Sequence, residues 1–323
     1  MKNYDPKFFD FVDKMKGTEY LKTLAFKKDS NLPKVCWVQN MRKWQGAEFS
    51  NLKVVQQGLK MGFDIVGITP YSFNLDVIKQ ANFMIINNIW DFFPDQLKYL
   101  MNLVNDGYPF FKYEHDHGGL DIKFGARKPM MHLLMKKSIA NFFLSPLHMN
   151  NHKMRLGNIS PSYALPLAFD LNRFKIIKGI KRDPNKVISM TGQIANKGIE
   201  NLNNFIGSHP HFNFEVYTIT GPTLRKLLIK YKNIRIKDKI PLDKLPQKYN
   251  SAGYVIHVPE VVDAGGRSII EGFLCGCKPI MNNLVGHNSW DWDWEKDRIK
   301  IRRKIREAPK KFWEIIKKIR GIK

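Results

Sequence analysis

The sequence predicts an α/β protein made of two parallel-sheet domains. Short apolar runs recur along the whole chain, separated by polar turns and alternating with longer stretches of helical period, the pattern of parallel strands with crossover helices. The chain has 323 residues, more than the usual single domain. The runs fall into two sets, and between them lies the charged segment 170–185, DLNRFKIIKGIKRDPN, which carries Gly179 and Pro184 and reads as a linker.

Residues 1–32 read as a helical N-terminal extension. The first domain, 33–172, carries strands at 34–38, 64–69, 83–86, 109–113 and 141–144, each a short run rich in Val, Ile or Phe. A helix is predicted over 47–61, where Leu52, Val55, Leu59 and Gly62 share one face. The second domain, 186–290, carries strands at 186–191, 214–219, 233–236, 254–258 and 279–282, with a helix over 268–274 after a glycine pair. The basic amphipathic segment 291–323 is expected to pack back on the first domain. Two open sheets imply domains facing a cleft, with ligands beyond the carboxyl ends of the strands, so the chemistry should lie on strand-to-helix loops.

Composition narrows the setting. Lys and Arg number 53 against 29 Asp and Glu, a formal charge of +24 that attracts phosphorylated ligands, nucleic acid or anionic membrane. Within 296–323 alone, thirteen Lys or Arg face only Asp297, Glu307 and Glu314. Interleaved Ile, Phe and Trp make that tail an interdomain brace, a surface helix held by anionic lipid, or a phosphate-tracking surface. Three cysteines, Cys36, Cys275 and Cys277, are too few and odd in number for a disulfide framework. They are expected to be packing residues. No run of about 18 apolar residues reads as a membrane span, and the N-terminus lacks the features of a signal peptide. A cytoplasmic location is expected, with peripheral attachment at the inner membrane face if the tail is the lipid-held helix.

The most informative stretch is 253–286, GYVIHVPEVVDAGGRSIIEGFLCGCKPIMNNLVG. An apolar strand leads to an acidic loop, then to Gly265 and Gly266, then to a helix starting near Arg267 or Ser268. Glycines let a ligand approach the backbone, and the first helical turn offers unpaired N–H groups and the positive end of the dipole, an anion site suited to a diphosphate. Asp263 stands in the loop and Glu271 on the helix, placed to accept hydrogen bonds from sugar and ribose hydroxyls. Two metal readings are set aside: Cys275 and Cys277 have no second pair, and Asp291 and Asp293 lie after the last strand. No metal is expected.

An acid, seven spacers, Glu, then Leu274-Cys275-Gly276-Cys277-Lys278-Pro279 before another strand resembles the donor-binding motif of glycosyltransferase family 4, retaining nucleotide-sugar enzymes of GT-B fold. Other landmarks are similar and in the same order. Residues 35–48, VCWVQNMRKWQGAE, resemble the family's first strand and Gly-rich loop, although Gln45 stands where a second glycine is usual. YEHD at 113–116, LPLAFDLNRF at 165–174 and TGQIANKG at 191–198 match its later segments.

The resemblance implies that Glu271 binds the ribose, that Asp263 and His115 lie at the transferred sugar, and that Lys197 neutralises the departing diphosphate. Gly265, Gly266, Arg267 and Ser268 would meet the sugar and phosphates through the backbone, with Gly192, Gln193 and Gly46 completing the donor site. Gln193 stands where the family's usual Arg is found, so that either Arg267 substitutes, or the enzyme is slow, or the site binds without turnover. The implied activity is transfer of a sugar with retention from a nucleoside diphosphate sugar to an acceptor hydroxyl, with no other cofactor. A surface glycan or glycolipid is the first acceptor expected, and DNA carrying modified bases, as for phage-type enzymes, the alternative. The rival from another class is a catalytically inactive module that binds nucleotide sugars or nucleic acid.

Overall fold

A computed structural model describes residues 19–21, 23, 25–28, 30–40, 46–116, 128–191, 198–218, 228, 230–238 and 240–322. The chain divides into two compact units, one of residues 1–144, 149–168 and 307–323, the other of 145–148 and 169–306.

The first unit holds a six-stranded, all-parallel sheet in the order β2-β1-β3-β4-β5-β6. Its strands are β1 (Lys34–Val38), β2 (Asp64–Ile68), β3 (Phe83–Ile86), β4 (Phe110–Tyr113), β5 (Asn141–Phe143) and β6 (Ser162–Ala164). The helices between them are α1 (Gly46–Lys60), α2 (Leu75–Gln80), α3 (Pro94–Asn105), α4 (Lys128–Lys137) and α5 (Pro146–Leu156). Strands β1 to β5 are almost wholly buried, as strands covered on both faces must be. On one face Cys36, Val38, Met84, Ile86 and Phe110 pack with Ile78, Leu100, Leu134 and Met135. On the other, Trp37, Phe63, Phe83, Phe111, Phe142, Phe312 and Trp313 form a cluster of rings with centroids 4.4 to 6.3 Å apart.

The second unit holds a five-stranded parallel sheet in the order β11-β10-β7-β8-β9. These strands are β7 (Asp183–Thr191), β8 (Asn213–Thr218), β9 (Ile234–Lys237), β10 (Ala252–His257) and β11 (Lys278–Met281), with α6 (Ile199–Ser208), α7 (Leu245–Asn250) and α8 (Arg267–Leu274) between them. Strand β7 begins at Asp183, inside the segment expected to be linker. Gly253 permits this: a β-carbon there would lie 2.4 Å from the Pro184 carbonyl oxygen, and the β7/β10 register shifts at that point.

The last helix, α9 (Arg298–Arg320), turns its apolar stripe inward. Ile301, Ile305, Ala308, Phe312, Trp313 and Ile316 are all buried, while Arg303, Arg306, Lys310, Lys311 and Lys318 face solvent. Arg302 donates to the Leu171 and Phe174 carbonyls in the second unit, and Trp313 Nε1 to the Val54 carbonyl in the first. The stripe is therefore unavailable for insertion into lipid. Among the described residues no helix is long and apolar enough to cross a membrane, and no three His, Cys, Asp or Glu are grouped to hold a metal ion. Cys36, Cys275 and Cys277 are buried free thiols whose pKa values burial pushes up, to about 12 and about 11 for the last two, which suits packing rather than reactivity.

Candidate functional site

In the second unit, β10 ends at His257 and the chain returns through an acidic loop to α8. Gly266, the N-cap of α8, has φ 70°, and a β-carbon there would lie 2.6 Å from Val285 Cγ1. A side chain would meet both backbone strain and a clash, so glycine is required. The helix starts at Arg267, and its first turn carries no acid, which leaves its positive end unopposed by its own residues.

Asp263 and Glu271 have different surroundings. Asp263 Oδ1 accepts the N–H groups of Gly265 and Gly266 at 3.1 and 2.8 Å, and Oδ2 lies 3.0 Å from His257 Nε2. The loop is also stitched to the chain beyond β11, through Asp263 N–H to the Leu284 carbonyl and Gly286 N–H to the Asp263 carbonyl. Ser145 Oγ donates to the Ala264 carbonyl at 2.9 Å. In this structure the Asp263 carboxylate thus holds the glycine loop in shape and occupies the Gly265 and Gly266 amides, two of those expected from sequence to meet the sugar and phosphates.

Glu271 is buried on α8, with Arg267 Nε 2.6 Å from its Oε1. Burial pushes its carboxyl pKa upward, opposed by Arg267, the Tyr249 hydroxyl and Arg173. The Arg267 guanidinium also stacks 4.6 Å over the Phe169 ring. One nitrogen and one face of the proposed substitute cation are therefore committed. Ser268 lies in the first turn beside it, partly buried. Next to the loop, His287 is wholly buried, and burial lowers its pKa to about 3, so its ring is neutral. Trp292 stacks on it at 5.8 Å and Trp290 on Trp292 at 5.5 Å.

In the first unit, Gly46 opens α1, with its carbonyl accepting from Ser50 Oγ. His115 follows β4, buried, edge-on to Tyr113 at 4.3 Å. Its neighbour Glu114 is fixed more tightly than sequence suggested. Glu114 Oε1 accepts the N–H groups of His115 and Asp116, both at 3.0 Å, and Oε2 pairs with Lys112 Nζ at 2.8 Å. Burial raises the Glu114 pKa, but Lys112, His152 and the Asp116 N–H outweigh it and hold the carboxyl below the usual range. Lys197, Gly192 and Gln193, like Gln45, lie outside the described residues.

The sequence reading missed Lys112, Glu114, His257 and Phe169. Lys112 and Glu114 had a signal: two charges at period 2 in a buried strand face the same way and must neutralise each other. His257 and Phe169 had none, because each meets its partner only through the return of a loop.

No protein-family model matches the chain, and no curated protein sequence is similar to it. Solved structures are similar in fold. HepE of Anabaena, in complex with UDP and glucose, aligns with TM-score 0.60 at 12% identity over 79% of this chain and 82% of its own. An alpha-glucosyltransferase in complex with UDP and a 13-mer DNA containing an HMU base aligns with TM-score 0.59 at 11% identity over 88% and 91%. Sucrose-phosphate synthase of Thermosynechococcus elongatus aligns with TM-score 0.64 at 11% identity over 85% and 90%. With its two parallel sheets and its likeness in fold to these glycosyltransferase structures, the chain has the GT-B fold.

Proposed function

We propose that the chain is a glycosyltransferase that takes its sugar from a nucleoside diphosphate sugar. The observation that carries this reading is the α8 entrance of the second unit: a glycine N-cap, a first helical turn without an acid of its own and a buried carboxyl on Glu271. It stands on a fold shared with proteins whose structures contain UDP or UDP-glucose. The ribose hydroxyls would bond to Glu271, and the diphosphate would face the amides at Arg267 and Ser268 together with Lys197. Asp263 acts through the loop it holds, and His115 lies at the sugar. Retention of configuration and kinship with family 4 rest on the ordered motifs alone.

A thermal-shift series with UDP, GDP, ADP and their glucose esters tests the donor site, since a ligand that binds only the native state raises the melting temperature. Glu271→Ala and Lys197→Ala should abolish the shift and the slow hydrolysis of the sugar nucleotide. An unchanged shift in both variants would remove the assignment.

For the acceptor, a surface glycan or glycolipid remains the reading from sequence. A specific observation favours the second reading, DNA. The apolar stripe of α9 is consumed inside the protein while its cations face outward, so the helix offers phosphate contacts without a lipid anchor. Duplex binding that weakens steeply with salt supports DNA, and flotation with anionic vesicles supports the lipid-linked acceptor. Sugar transfer to either acceptor would exclude the inactive binding module.

A further inference from the structure

Two features that cost stability lie side by side at the carboxyl end of the first sheet. In β1 and β3, Trp37 stands opposite Ile85, and Ile85 stands opposite Phe111 of β4. Two residues further on, Gln39, Asn87 and Tyr113 continue that row on the same face. The Gln39 carboxamide is used: its Oε1 accepts from Trp37 Nε1 and Asn51 Nδ2 at 2.8 and 2.9 Å, and its Nε2 donates to Tyr20. That of Asn87 is not. Asn87 is 1% exposed, and among the described residues neither its Oδ1 nor its Nδ2 has a hydrogen-bond partner. Asn51 Oδ1 is likewise unpartnered.

The second feature is the Lys112–Glu114 ion pair, 0% and 1% exposed. Lys112 Nζ also donates to the Asn87 carbonyl at 3.2 Å, while Glu114 holds the His115 and Asp116 amides. Apolar residues in these places would serve the fold better, because an unpaired buried amide and a desolvated ion pair both oppose folding. The position is the one where open α/β sheets bind ligands, beyond the carboxyl ends of adjacent central strands.

The chemistry narrows the ligand. A carboxamide offers two donors and one acceptor without charge, and Glu114 neutralises Lys112, whose Nζ reaches the Asn87 carbonyl. The complement is a group that both donates and accepts, a hydroxyl, rather than a phosphate or carboxylate. We propose that Asn87 is a recognition residue for a sugar hydroxyl, with Lys112 and Glu114 as positioning residues that fix its backbone and that of His115. The proposal rests on the glycosyltransferase reading for the sugar, and not for the hydroxyl chemistry.

The test titrates UDP, UDP-glucose and free glucose into the wild-type chain and Asn87→Leu, with melting temperatures recorded alongside. Asn87→Leu is expected to melt at or above the wild-type temperature, to bind UDP unchanged, and to lose about tenfold in affinity for a sugar-bearing ligand. Loss for UDP-glucose places the hydroxyl on the donor, and loss for glucose alone places it on the acceptor. Should leucine overpack the site, Asn87→Ala carries the same readout. Unchanged sugar affinity overturns the proposal, and combined with a lower melting temperature it assigns the amide to an ordered water only. Failure of wild type to bind UDP overturns the glycosyltransferase reading, in which case the glucose titration alone decides the role of Asn87, and binding of none of the three overturns both.

Discussion

Trp313 fills the space that a side chain at Gly58 would occupy: a β-carbon on that glycine would lie 2.5 Å from the indole ring. The ring also lies 4.4 Å from Phe63, and its Nε1 bonds to the Val54 carbonyl at 2.7 Å. Glycine inside helix α1 is thus a packing requirement. Gly58→Ala is expected to destabilise by about 1–3 kcal/mol through overpacking, although alanine alone would favour the helix by about 1 kcal/mol. Trp313→Ala is expected to cost about 3–5 kcal/mol. In the Trp313→Ala background the alanine at position 58 should cost less, the remaining close contact being the end of the Ile65 side chain, 2.7 Å from that β-carbon. Urea unfolding of the four variants measures this, and additive effects would reject the contact as the cause.

Asp263 and His257 give a second prediction. If the Asp263 carboxylate serves the loop, Asp263→Asn, which keeps an acceptor for the Gly265 and Gly266 amides, should retain most stability and most donor affinity. Asp263→Ala removes that acceptor and should cost about 1–2 kcal/mol, with weaker donor binding as the loop loosens. A residue that contacts the transferred sugar would show the opposite split, with Asn as damaging to turnover as Ala. Comparing melting temperature with steady-state rates for the two variants separates the roles.

The sheets were legible because buried parallel strands are short apolar runs: each of the ten expected strands overlaps an observed one. Strand β6 escaped notice, being three half-buried residues at an edge. Helices such as α5 escaped because His148, Asn150, Asn151 and His152 blur the apolar period that marks a helix. At the candidate site, Gly266 and the start of α8 could be read from composition, since only glycine tolerates such a cap. The partners of Asp263 could not: its loop amides and His257 are brought to it by the course of the chain. The stacking of Arg267 on Phe169 spans about a hundred residues and leaves no local pattern.

Glu271 should make donor binding depend on pH above the range in which an exposed glutamate titrates. Its carboxyl is held above the ordinary value of 4.5 by burial, against the pull of Arg267. A hydroxyl-accepting carboxylate is lost on protonation, so UDP affinity should fall as pH drops, starting at a higher pH than for an exposed Glu. Arg267→Ala removes the opposing charge and should move the transition further upward. Titrating UDP from pH 4 to pH 8 follows this, and an identical midpoint in wild type and Arg267→Ala would reject Glu271 as the titrating group.

The second sheet carries an acid stabiliser of opposite sign in Glu215. Burial on β8 raises its pKa, but hydrogen bonds from Lys186 at 2.5 Å, Lys237 at 2.6 Å and the Tyr217 hydroxyl outweigh this and lower it to about 2. The folded carboxyl then binds its proton more weakly than the unfolded one. Its contribution is complete above about pH 4.5 and is lost as pH falls toward 2. The full shift corresponds to about 3 kcal/mol, reduced to about 2 because Lys237 is partly exposed to solvent. Glu215→Gln should therefore be less stable than wild type at neutral pH, with the difference shrinking as pH falls from 4.5 to 2. Chemical unfolding at a series of pH values measures the gap. Parallel curves would show that Lys186 and Lys237 do not act through this carboxylate.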